Sequence, residues 1–266
     1  MKEEHPEINY IHQLNKKLVQ EFLNSVLEKT SPRNRNNFRT DLSSIIQTLE
    51  DNDIIAHNFI KKIKVLKAVP ERNKTYSQKT KGDIFKYLEE KDPILLLFIK
   101  FISFNFLRPI EVCRQKVRDI DIESRTLQLK VKSSPLKTKI IPEILWDELP
   151  DLSKLKKDDY LFTPEEIGGK WEAEVGSRRD YFTKRFKKVV KDHFGLGKDY
   201  GMYSFRHTYI TQLYRAIREN ATPFEAKSNL MLITGHSSME ALEKYLRDID
   251  AEQPEDYSKM ITDTNG

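Results

Sequence analysis

The chain has 266 residues, 38% hydrophobic, 33% charged and 10% aromatic, which is enough for one large or two modest domains and too apolar for a disordered chain. Lys and Arg number 46 against 41 Asp and Glu, leaving +5, a basic excess that permits a polyanionic partner and excludes an acidic solvating protein. The single cysteine, Cys113, rules out a disulfide framework and a cysteine zinc site, and the 9 glycines form neither a phosphate-binding loop nor a dinucleotide fingerprint.

The first ten residues, MKEEHPEINY, are charged and carry no apolar run, so no signal peptide is expected. A helix is predicted from about Asn9 to Lys29, where Leu14, Leu18, Phe22, Val26 and Leu27 recur at helical spacing, and Ser31-Pro32 stops it. A second helix carries Phe38, Leu42, Ile45, Ile46 and Leu49 and ends at Asp51-Asn52-Asp53; a third is predicted from Asn58 to Leu66. The polar, basic stretch Pro70 to Thr80 has no periodicity and reads as an interdomain linker. The expected organisation is a helical domain over 1–75, a linker at 76–80, a second domain over 81–246 and a tail over 247–266. Charge divides unevenly along it: residues 1–80 carry +4, the middle +5 and the last 20 residues −4.

In the second domain, helices are predicted at Gly82–Glu90 and Pro93–Asn105. The apolar stretch from Ile94 to Leu107 is broken by Lys100, Ser103 and Asn105 and is too short to span a bilayer, so it is read as a buried helix and no membrane partner is expected. A short helix follows Arg108-Pro109. Thr126 to Lys132 alternates apolar and polar, Ser133 to Leu136 is turn chemistry, and Lys137 to Ile141 resumes a strand, giving a small hairpin with lysines near its turn. Helices return at Ser177–Phe194, with Phe182, Phe186, Val189 and Val190 inward, and at Tyr203–Arg218, Phe224–Ile233 and Ser238–Arg247.

Four separated pieces carry chemistry: Arg108-Pro-Ile-Glu111, the lysine hairpin, Tyr203-Ser-Phe-Arg206-His207, and Gly235-His236 with Tyr245 nine residues after the histidine. In that order they resemble the tyrosine recombinase, or phage integrase, family over roughly residues 81–250, and residues 1–75 fit its core-binding domain more loosely. The resemblance implies a mainly α fold with a small antiparallel β-hairpin: a helical, SAM-like core-binding domain followed by an α+β catalytic domain, the two closing as a clamp on double-stranded DNA. It further implies a site-specific recombinase that integrates or excises a mobile element through a 3′-phosphotyrosyl intermediate, with type IB topoisomerase-like chemistry. Four protomers would assemble on two duplexes, with the tail around Met260 and Ile261 a candidate for exchange between protomers. Neither metal, ATP nor other cofactor is expected, and the setting is cytoplasmic and nucleoid-associated.

The residues support that chemistry independently. Metal-free strand cleavage needs a nucleophile, fixed cations on the nonbridging phosphate oxygens and an acid for the leaving 5′ oxygen. Arg108 and Arg206 suit the clamp because a planar guanidinium is always charged and binds phosphate bidentately. Of 11 tyrosines, spacing selects Tyr245; Tyr200, Tyr209 and Tyr214 are read as structural. By resemblance His236 donates to the phosphate and Glu111 orients Arg108. The acid is a hairpin lysine, taken as Lys132, with Lys137 and Lys139 as alternatives because the turn leaves the register open.

Tyr203 stands where the family most often has histidine, and Phe106 where it commonly has a small residue. A phenol donates a hydrogen bond but is a poor base near neutral pH, so the proton acceptor is left open, and His207, beside Arg206, is read as a structural histidine in preference to a substitute base. Two alternatives differ in class. Asp119, Asp121 and Glu123 could serve a metal-dependent nuclease, and a DNA-binding relative that has lost catalysis would bind without forming an adduct. Binding to DNA is expected to weaken steeply with salt.

Overall fold

The computed structural model describes residues 10–69, 73–129, 137–252 and Ser258, and the chain divides into two compact units, Met1–Glu71 and Arg72–Gly266. In the first unit α1 (Lys16–Lys29) begins where Asn15 Oδ1 accepts the Leu18 amide. Helix α2 (Pro32–Asp51) begins where the Ser31 hydroxyl accepts the Asn34 amide, with proline in the first turn. Val19, Leu23, Ile46, Ile60 and Ile63 make a small core.

The third helix predicted over 58–66 is absent; a 3-10 turn, Phe59–Lys62, leads into extended chain. The cause is competition for carbonyls. Arg39 donates to those of Ile60, Lys61 and Ile63, the last at 2.6 Å, and buried Arg35 donates to that of Lys64 at 2.8 Å. Asn36 brackets Leu66, donating to its carbonyl at 2.8 Å and accepting its amide at 3.1 Å. Side chains of α2 thus hold backbone groups that a helix needs for itself.

The second unit starts earlier than the sequence suggested. The Lys74 amide donates to the Asp199 carbonyl, the Tyr76 amide donates to the Thr208 hydroxyl at 2.8 Å, and the Tyr76 ring lies 4.4 Å from that of Phe205. Ser77 caps α3 (Gln78–Lys91). The expected boundary at 75 and linker at 76–80 are therefore corrected: an aromatic ring gains more from burial than a polar stretch loses, and residues 73–80 belong to the second unit.

Helix α4 (Pro93–Phe104) runs through the centre of this unit, and Leu95, Phe98, Ile99, Phe101 and Ile102 are wholly enclosed, as its apolar sequence predicted. Asp92 caps it by accepting the Leu95 amide and also receives Arg185 bidentately, both bonds at 2.6 Å. Asp92→Ala strips the cap and strands the half-buried Arg185, so it is expected to lower unfolding free energy by about 3–5 kcal/mol in denaturant titration.

After the single turn α5 (Pro109–Val112) come β1 (Ile120–Asp121), β2 (Thr126–Leu129) and β3 (Lys137–Ile140), antiparallel in that order, with Leu129 opposite Lys137 and Leu127 opposite Lys139. The hairpin was legible and the edge strand β1 was not. The carboxylates considered for a metal make turns instead: Asp119 accepts the Lys116 amide, and Asp121 the amides of Glu123 and Ser124. Then follow α6 (Glu143–Trp146) and a second antiparallel pair, β4 (Tyr160–Phe162) with β5 (Ile167–Gly169), which the sequence had not suggested.

Helix α7 (Val175–Phe186) continues through a π-turn, Lys187–Lys191, into α8 (Asp192–Phe194), and Gly195, at φ +60°, ends it. Its Phe182, Phe186 and Val190 join the main core with Phe205 of α9 (Met202–Arg218). On α9, Ile210 and Tyr214 face a second apolar cluster shared with α10 (Pro223–Thr234) and α11 (Met239–Asp248) through Ala226, Leu230, Leu242 and Leu246. The tail is also corrected at its start. Ala251 is buried in this cluster, while Glu252 pairs with Lys227 at 2.9 Å and accepts the Tyr214 hydroxyl at 2.7 Å, so residues 247–252 pack on their own chain. Met260 and Ile261 lie outside the described residues. No described helix is long and apolar enough to cross a membrane.

Candidate active site

The site is assembled around the end of α4 and the start of α9. Phe106 turns the chain in the left-handed region, φ +54°, a conformation that favours glycine. Its ring is buried in the second cluster, and this burial offsets a backbone cost of about 1–2 kcal/mol. That turn, with Leu107 fully enclosed, projects Arg108 outward at the head of α5. Glu111 accepts both the Arg108 amide, at 2.7 Å, and its guanidinium, at 2.9 Å. Tyr203 lies near enough to add to the electrostatic hold on the Arg108 charge.

On α9, residues four apart share a face, so Tyr203 and His207 stack in consecutive turns, ring centroids 4.8 Å apart and edge to face. Arg206 is 2% exposed. Its Nε and Nη1 have no hydrogen-bond partner within the protein, and its charge acts on the nearby Tyr245 phenol. His207 Nδ1 lies 2.7 Å from that same hydroxyl oxygen. Tyr245 is brought there by α11, whose Leu242 and Leu246 enter the second cluster and leave Tyr245 half-buried at its edge.

Gly235, at φ +75°, closes α10 and reverses the chain, which brings the His236 ring within 5.0 Å of the Tyr245 ring, centroid to centroid. The Thr234 hydroxyl bridges His236 Nδ1, at 2.6 Å, and the Leu230 carbonyl, at 2.7 Å, which fixes the orientation of the imidazole. From β3, Lys137 donates to the Gly235 carbonyl at 3.2 Å and Lys139 to the Asn105 carbonyl at 2.6 Å.

The electrostatics follow from crowded cations in a partly closed site. Burial, reinforced by Arg206, lowers the His207 imidazole to about 4. His236 falls to about 4 through burial and the charges of Arg206, Arg108, Lys139 and Lys137. Burial and Arg206 bring Lys139 down to about 7, with Glu111 opposing. The Tyr245 phenol is pushed up by burial while Arg206 and Arg108 pull it down. Without DNA both histidines are thus neutral at pH 7, the phenol is protonated and Lys139 sits near its midpoint.

Of the residues singled out from sequence, Arg108, Glu111, Tyr203, Arg206, His236 and Tyr245 converge here. Lys132 lies outside the described residues, and the described hairpin lysines bring Lys139 and Lys137 to the site. Sequence reasoning weighed His207 as a substitute base but preferred a structural reading, whereas its Nδ1 touches the Tyr245 hydroxyl. The available signal was its spacing of one helical turn from Tyr203.

No protein-family model matches the chain, and no curated protein matches it. Solved structures do. A lambda integrase dimer bound to a COC′ core site superposes with TM-score 0.68 at 14% identity, over 92% of this chain and 68% of that one. The Tn1549 transposon integrase in complex with a circular intermediate DNA matches at TM-score 0.63 and 17% identity, over 96% and 87%. XerH site-specific recombinase, bound to palindromic difH substrate in a post-cleavage complex, matches at TM-score 0.63 and 15% identity, over 92% and 72%. The chain has the tyrosine recombinase fold. Within this tyrosine recombinase fold, the site lies where α4, α9, α10, α11 and the three-stranded sheet meet, with Arg108 at the head of α5, Arg206 on α9 and the lysines on β3.

Proposed function

We propose that the protein is a site-specific DNA recombinase that cleaves and rejoins strands through Tyr245. The observation that carries this is the Tyr245 hydroxyl, hydrogen-bonded to His207 and set among the charges of Arg206, Arg108 and Lys139 and the His236 imidazole. In the proposed step the phenol oxygen attacks a DNA phosphorus, its proton departs, the bond to the 5′ oxygen breaks and a 3′-phosphotyrosyl link forms. Arg108 and Arg206 clamp the nonbridging oxygens, His236 donates a third hydrogen bond, and Glu111 and Tyr203 hold Arg108 in place. The link conserves the bond energy of the phosphodiester, so rejoining to another strand needs no nucleotide. Residues 1–71 would act as the core-binding unit, four protomers would join two duplexes, and a mobile element is the proposed cargo, handled in the cytoplasm.

The test is covalent capture. The wild-type protein is incubated with a pool of nicked duplexes of randomised core sequence, in EDTA, and denatured. A DNA-linked protein band is expected, and the captured sequences define the substrate for every later experiment. Noncovalent binding without a band would overturn the proposal in favour of a DNA-binding relative; cleavage only with a divalent metal would make it a nuclease.

The leaving 5′ oxygen takes its proton from a hairpin lysine. With its pKa at about 7, Lys139 suits donation near neutral pH. The second-order rate of adduct formation reports groups of the free protein, so it is expected to fall as pH rises through about 7 and Lys139 loses its proton. Lys139→Arg, whose charge does not titrate, is expected to abolish that limb while Lys132→Arg retains it; the reverse pattern assigns the acid to Lys132.

A further inference from the structure

We propose that His207 is the proton acceptor for the Tyr245 hydroxyl, taking the place that Tyr203 leaves without a base one helical turn away. The inference rests on the proposed recombinase activity and deepens it. Its ground is the hydrogen-bond inventory around one oxygen. Arg206, whose charge acts on the Tyr245 phenol, carries no acceptor and cannot take its proton. The hydroxyl's own proton then needs an acceptor, and His207 Nδ1 lies 2.7 Å from the oxygen. Donation into Nδ1 selects the neutral imidazole with its hydrogen on Nε2, the protonation state that burial beside Arg206 favours.

Tyr203 is engaged elsewhere. It interacts with the Arg108 charge, and its ring packs edge-on against the His207 ring, centroids 4.8 Å apart, one turn from the imidazole that touches Tyr245. His236 faces the nucleophile through its ring, while its Nδ1 is bound to the Thr234 hydroxyl. Among the described residues, His207 is the base whose nitrogen is in hydrogen-bond contact with the attacking oxygen. Histidine and phenol are poorly matched in the free protein, because an imidazolium beside Arg206 is disfavoured and burial holds the phenol's proton. The scissile phosphate brings negative charge into the same cluster of cations and offsets that penalty. The proton therefore moves to Nδ1 as the bond from oxygen to phosphorus forms, the electron pair of the O–H bond becomes the new O–P bond, and the bond to the 5′ oxygen breaks with its pair, to be protonated by the hairpin lysine. On rejoining, the imidazolium returns its proton to the departing phenolate.

The captured duplex supplies the test, with adduct formation followed in single turnover at saturating protein. Two variants are compared with wild type: His207→Ala, and His207→Asn, whose amide oxygen keeps an acceptor near the Nδ1 position without a basic nitrogen. Both are expected to slow adduct formation by about 10²–10⁴-fold, the usual contribution of a placed general base, while DNA binding is unchanged. A second substrate carries sulfur in place of the leaving 5′ oxygen, a leaving group that needs no acid. It is expected to rescue a variant of the leaving-group lysine and to rescue neither His207 variant. Thermal unfolding checks that each variant is folded, and His207→Asn decides if the smaller alanine does not fold. An His207→Asn rate within threefold of wild type overturns the proposal, and so does rescue by sulfur, which would put His207 on the leaving group. Absence of any wild-type adduct instead removes the recombinase activity itself, so the two failures are distinguishable.

Discussion

A Tyr245→Phe protein is expected to bind the captured duplex with wild-type affinity and salt dependence and to form no covalent adduct at any time of incubation. The substitution removes one oxygen. Leu242 and Leu246 anchor α11 in the second apolar cluster and the phenyl ring keeps its place there, so the fold has little reason to change. The lost interactions are the hydrogen bond to His207 and the pull of the nearby Arg206 charge on the phenol, which concern the nucleophile and not the core. Removing them leaves a half-buried ring with no polar atom to satisfy, and stability is expected to stay within about 1 kcal/mol of wild type in denaturant titration. The measurement is denaturing electrophoresis of end-labelled DNA. A residual adduct would show that another of the 11 tyrosines attacks, and mass spectrometry of the linked peptide would identify it.

Arg206→Met is expected to have opposite effects on stability and on chemistry. Arg206 is 2% exposed, and its Nε and Nη1 meet no acceptor in the protein. A cation enclosed in this way opposes folding, because its desolvation is not repaid by hydrogen bonds. Methionine fills similar volume without charge, so unfolding free energy is expected to be unchanged or to rise by about 1–4 kcal/mol. Adduct formation is expected to fall by about 10²–10³-fold or more, since a preorganised donor in a closed site is among the larger contributors to transition-state stabilisation. A marked loss of stability together with retained cleavage would make Arg206 a structural residue. The substitution also relieves both histidines and Lys139 of a neighbouring charge, so their pKa values are expected to rise, which NMR titration of the imidazoles would record.

Proton transfer is where local sequence and assembled site diverge most. Arg108 and Glu111 are three residues apart, and their ion pair needs nothing beyond the first turn of α5. The αL turn at Gly235 that presents His236 is likewise local. By contrast, Tyr203 and His207 lie on one face of α9, and sequence alone offers no means of telling which of them meets a nucleophile 38 residues further on. That choice is made by the second apolar cluster, which sets the height of α11 against α9. The hairpin lysines show the same limit: alternation reveals strands, whereas pairing of Leu127 with Lys139 decides which lysine faces Arg206.

What the sequence determined by itself is what nearest neighbours along the chain control: the amphipathic helices, the break at Ser31-Pro32, the mostly apolar α4, the alternating hairpin, and the spacing that separates Tyr245 from the other tyrosines. Tertiary structure decided the rest. It kept 63–66 from becoming helix, because Arg35, Asn36 and Arg39 reach across to its backbone. It moved Tyr76 from linker to core and held residues 247–252 on their own chain. Most of all it made a depressed lysine, two neutral histidines and an enclosed arginine, since pKa values depend on burial and on charges brought close by folding and not by sequence.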